Sequence, residues 1–193
     1  MLNKKEFSKL KKELEEFDNK RETIIVKSRE VTRLSKHAIY FIHNNDLNSA
    51  KKKINDAKKI INELKKLINS NKKLLSVNAF SQGMQEYCEA VCYLGYIENK
   101  KITPNSIIKA DYEDYLLGLC DLTGELTRKA VVLAIEKKYD EIEKIKLIIK
   151  NIFENFLDLK IRNSELRKKS DAIKWNLKKI EEIIYDINIK KKE

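Results

Sequence analysis

Apolar residues recur along this chain at intervals of three and four, the spacing that places them on one side of an α-helix. The first such stripe carries Ile24, Val31, Leu34, Ala38, Phe41 and Ile42. No Gly or Pro interrupts it, so one helix is predicted from about Asn3 to His43. At 1.5 Å per residue it would reach about 60 Å. That exceeds what a compact domain of this size needs, so its exposed part is expected to pack on another subunit. The turn HNNDLNSA ends it, and Asp46 or Asn48 can cap a second helix running to about Ser70. After NSNKK a third helix is expected from Leu75 to Glu98. Thr103 as N-cap with Pro104 at the first helical position would open a short helix. Longer ones follow over Tyr112–Lys137, Asp140–Leu157 and Arg162–Lys190.

Composition agrees with this pattern. The 193 residues include only four glycines and one proline, which favours a single all-α domain over residues 1–193 with short connections. No apolar run is long enough to span a membrane, and the N-terminus does not read as a signal peptide. The expected location is cytoplasmic. Cys88, Cys92 and Cys120 are an odd set in apolar surroundings, read as small core residues rather than a disulfide framework or metal site. The net charge of +11 is unevenly spread. Residues 1–75 hold 20 Lys/Arg against 10 Asp/Glu, whereas residues 76–131 hold 5 against 8. A basic surplus suits a polyanion such as nucleic acid, or only keeps a lysine-rich protein soluble.

The acidic middle is also the most apolar part. Gly83–Ile97, GMQEYCEAVCYLGYI, carries two charges, Glu86 and Glu89. Tyr115–Thr127, YLLGLCDLTGELT, also carries two, Asp121 and Glu125. Spacings of three and four put each pair on one helix face. Gly118 and Gly124 in one helix suggest a close approach there, since helical Gly costs about 1 kcal/mol relative to Ala. Four carboxylates without a local cation would repel one another and raise their pKa values. Three resolutions are open: solvent-facing stripes, Lys or Arg from another helix, or convergence on a divalent cation. Oxygen ligands with no neighbouring His or Cys favour Mg²⁺ or Mn²⁺.

GMQEYCEAV, DYLLGLCDLTGELTRKAV and LRKKSDAIKWNLKKIEEIIYDINIK closely resemble the translin–Trax family. RETIIVKSREVTRLSKHAIYFIH is similar to that family's first helix. The resemblance implies an all-α bundle of six to seven helices, a homo-oligomer forming a hollow, octamer-like shell, and binding of RNA or single-stranded DNA. Its Trax branch implies a Mg²⁺-dependent endoribonuclease. Glu86, Glu89, Asp121 and Glu125 fall on that branch's acidic positions, as catalytic and metal-binding residues. SVNAFSQGM stands where translin proper carries a basic, histidine-rich segment. Lys27, Arg29, Arg33, Lys36 and His37 on the first helix are the candidate backbone contacts. A non-catalytic nucleic-acid cage is the alternative, and an all-α nucleotide pyrophosphohydrolase a more distant one.

Overall fold

The computed structural model describes residues 3–71, 73–74, 77–162 and 164–190, with the side chains of Ser164 and Lys190 left aside. Among these residues seven helices and no strands are found. They are α1 (Lys4–His43), α2 (Leu47–Asn69), α3 (Asn78–Asn99), α4 (Asn105–Ile108), α5 (Tyr112–Ile135), α6 (Tyr139–Leu157) and α7 (Ser164–Lys190). The expected start of the third helix, Leu75, lies outside the described residues. None of the described helices is long and apolar enough to cross a membrane.

The helix ends follow local chemistry. Asn3 caps α1 by accepting from the backbone N–H groups of Lys5 and Glu6. Of the two candidates for α2, Asp46 is the cap and accepts from the Ser49 N–H at 3.0 Å. Asp111 caps α5 through the Glu113 N–H at 2.9 Å. The reading of Thr103 as a cap is corrected, because Pro104 occupies that position and α4 starts at Asn105. Thr103 instead ties the loop down. Its carbonyl accepts from the Tyr115 hydroxyl at 2.9 Å, and its own hydroxyl donates to the Val91 carbonyl at 3.4 Å.

Helix α1 packs on α2 and α3, α3 on α5, and α5 on α6 and α7. The buried stripe of α1 begins only at Ile24. Before it, Phe7, Leu10 and Leu14 are more than half exposed, Leu10 and Leu14 bordering a groove with Asn71 and Lys73. The predicted exposed segment is therefore present in the chain. All three cysteines are buried and free, as core residues would be. Trp175 is 66% exposed in the single chain.

Two features set the spacing of α3 and α5. A Cβ on Gly118 would lie 2.7 Å from Cys88 Cβ and 2.8 Å from the Gln85 carbonyl. Only a glycine permits that approach. Gly124 is different: the nearest atom to its Cβ position is Asn176 Nδ2 at 3.9 Å, so no crowding accounts for it. At the start of α5, buried Asp114 accepts from the Ser81 hydroxyl and from Gln85 Nε2, both on α3. Burial raises the Asp114 carboxyl, and these two hydrogen bonds oppose the rise.

Candidate acidic site

The close α3–α5 contact brings the two carboxylate pairs to one place. Glu86 and Glu89 from α3, with Asp121 and Glu125 from α5, line a single cavity of about 570 Å³. Lys36, Ile39 and Tyr40 of α1, Arg128 of α5 and Lys169 of α7 complete its wall. The sequence places each pair on a helix face; the packing turns both faces inward on the same space.

Glu89 is the deepest of the four, at 7% exposure. Burial first, then the charges of Asp121, Glu86 and Glu125, push its pKa up to about 9, and Lys169 offsets only part of this. Glu89 therefore holds a proton at neutral pH. No hydrogen-bond or ion-pair partner reaches it among the described residues. The mutual repulsion expected from sequence is expressed at this carboxyl.

The other three carboxylates are not bare; Lys36 and Lys169 from other helices meet two of them, one of the three resolutions open from the sequence. Lys36 Nζ lies 3.2 Å from Glu86 Oε1. Lys169 Nζ donates to Asp121 Oδ2 at 2.6 Å. Glu125 meets His43 Nε2 and, at 3.8 Å, Arg128 Nη1. His43 is itself fixed, since the Tyr93 hydroxyl lies 3.2 Å from its Nδ1. A neutral ring satisfies both contacts, with Tyr93 O–H donating to Nδ1 and Nε2–H donating to Glu125. No histidine neighbours these acids in sequence; the last turn of α1 delivers one through space.

The donor set of four carboxylates suits a hard divalent cation. As the side chains stand, no group of three or more His, Cys, Asp or Glu among the described residues is arranged to hold an ion. The buried thiols do not contribute either. Burial lifts Cys92 and Cys120 to about 12 and raises Cys88 further, far from the thiolate form.

The five candidate nucleic-acid contacts separate. Lys36 enters the acidic cavity. Lys27 turns to α2, where its Nζ is 2.6 Å from Glu63 Oε2. Arg33 grips Glu30 with two hydrogen bonds, of 2.8 and 2.6 Å. Arg29 lies in a second groove with Arg21 and Gln82, and His37 is exposed. Reading the sequence did not identify Lys169, Arg128, His43 or Tyr93 at this site. Signals existed for Arg128, three residues after Glu125 on one helix, and for His43, four residues after Ile39 on the inward side of α1. Lys169 is one of three consecutive basic residues, and nothing local marks it.

The translin-family profile matches residues 19–191. The chain belongs to the translin family. Within it, this Trax-like translin is 30% identical to the translin-associated protein X homolog of Schizosaccharomyces pombe, over 93% of this chain and 86% of the yeast protein. Chicken translin is 39% identical over 80 residues, 42% of this chain. That match spans about a third of the chicken protein, 35% of its length. The crystal structure of apo-NeC3PO superposes with a TM-score of 0.87 at 26% identity, covering 96% of this chain and 97% of that one. The AfC3PO–duplex RNA complex shares the fold, with a TM-score of 0.84 at 20% identity.

Proposed function

We propose that this Trax-like translin is an RNA-binding, homo-oligomeric, metal-dependent endoribonuclease. One observation carries the reading: two carboxylate pairs from adjacent helices line one cavity, with a buried glutamic acid at its floor whose pKa is pushed to about 9. Such perturbed acids in a cleft are characteristic of functional sites. Glu86, Glu89, Asp121 and Glu125 would hold Mg²⁺ or Mn²⁺. A cation bound there would polarise a phosphodiester and lower the pKa of a bound water. Glu125 is kept in place by His43 and Tyr93, so its orientation does not depend on substrate. Arg128, two-thirds exposed at the cavity wall, can meet a phosphate oxygen. Support for RNA as the polyanion comes from the solved AfC3PO complex with duplex RNA, whose chain has the same fold.

The test is cleavage of a short RNA with Mg²⁺ or with EDTA. Glu89→Gln and Asp121→Asn should each abolish cleavage and leave RNA affinity within about twofold. Loss of binding and assembly together would show these acids to be structural.

The ion pairs of Glu86 with Lys36, Asp121 with Lys169 and Glu125 with Arg128 favour a second reading, a nucleic-acid-binding oligomer without catalysis. RNA retained intact by the Mg²⁺-loaded protein would select it.

A further inference from the structure

The cations of the acidic cavity are of two kinds. His43 is a fixture, with its side chain 10% exposed and its far nitrogen held by Tyr93. Lys36 and Lys169 are the opposite. Each ends a flexible stem, one from α1 and one from α7, with 63% and 32% of its side chain exposed. No other described acid pairs with either ammonium. Among the described residues each ion-pairs with one carboxylate, and that carboxylate is one proposed to hold a metal. Pairs as exposed as these are worth little and open easily. Two ammonium groups also carry the same charge as one divalent cation, so the cation can replace them at the carboxylates charge for charge, and the released lysines add their charge at the mouth. Lysines released at the mouth of this cavity would then be within reach of a bound backbone.

Resting on the metal-dependent reading above, we propose that Lys36 and Lys169 are exchangeable counter-ions. They neutralise Glu86 and Asp121 in the metal-free protein. They leave these carboxylates when a divalent cation binds, and then contact the phosphates of the nucleic acid. The acidic cavity is thereby kept neutral while empty and becomes cationic toward RNA when loaded. Metal and RNA binding are thus coupled through two side chains, each serving two anions in turn.

The experiment uses the full chain with Mn²⁺ alone, then with a nuclease-resistant phosphorothioate RNA. Mn²⁺ affinity is read from the electron paramagnetic resonance of the free ion. Lys169→Met and Lys36→Met should each tighten Mn²⁺ binding roughly threefold, and the double variant about tenfold. Lys51→Met, which removes an ion pair with Glu98 lying outside this cavity, should leave it unchanged. RNA affinity is then followed against salt. In EDTA the slopes of the parent and each single variant should coincide. In Mn²⁺ the parent's slope should be steeper by about one per lysine removed.

An unchanged or weakened Mn²⁺ affinity in both variants overturns the exchange. So does a slope difference of equal size with and without Mn²⁺, which would mean that the lysines act as fixed charges. Lys169→Arg keeps the charge and guards against misfolding as an explanation; Mn²⁺ binding tighter than the parent's in that variant also counts against the exchange. Absence of Mn²⁺ binding in the parent itself sinks the metal-dependent reading, a result distinct from all of these.

Discussion

At the scale of single residues, Glu89 decides the electrostatics of the site. Its carboxyl titrates near 9 in the folded protein against an ordinary 4.5. Between those values the folded chain holds a proton that the unfolded chain has lost. The stability this contributes is full below about pH 4.5 and fades as pH rises towards 9. Glu89→Gln has no such proton to lose. In EDTA its melting temperature should match the parent's near pH 5 and exceed it increasingly towards pH 9. The gap should widen by about 1.4 kcal/mol for each pH unit across that window, at about 2–4 °C per kcal/mol, and is readable by calorimetry. A constant gap would show that Glu89 is ionised throughout. The long-range partners of the other three acids could not be read from the chain. Lys169 is 48 positions from Asp121, and His43 is 82 from Glu125. Ion pairs of that separation leave no local pattern, because only the path of the chain makes them neighbours.

Among helices, the α3–α5 contact is what makes a site out of two amphipathic faces. Gly118 is its closest point, and Asp114 is hydrogen-bonded across its other end. Gly118→Ala would gain about 1 kcal/mol of intrinsic helix preference. It would also set a Cβ 2.8 Å from a backbone oxygen that cannot swing aside. Overpacking of that kind costs about 1–3 kcal/mol. The expected result is a net loss of stability in urea melts, with Mn²⁺ affinity falling as the acidic faces part. Gly124→Ala, with space at 3.9 Å, should be neutral or slightly stabilising. The helices themselves were legible because their apolar periodicity is local. Errors gathered at ends such as Thr103, where a side chain that could have capped is engaged by a neighbouring helix.

For the whole molecule, the exposed start of α1 is a candidate subunit contact. Phe7, Leu10 and Leu14 share one side of it and are exposed. Deleting residues 3–20 should lower the particle mass measured by light scattering and leave the remaining helices intact by circular dichroism. An unchanged mass would place subunit contacts elsewhere. Charge acts at this scale too. The +11 surplus predicts that RNA affinity falls steeply with salt, and a flat response would assign the lysines to solubility alone. The sequence by itself determined the all-α class, most helix limits, the buried thiols and the identity of the four acids. Each of these follows from residue type and spacing within a few turns of one helix. Tertiary structure alone decided that the two acid pairs share a cavity, that Glu89 keeps its proton, and that Lys36, Lys169 and His43 stand against the other three. Those facts depend on desolvation and on charges brought together from distant segments, and both exist only once the helices have packed.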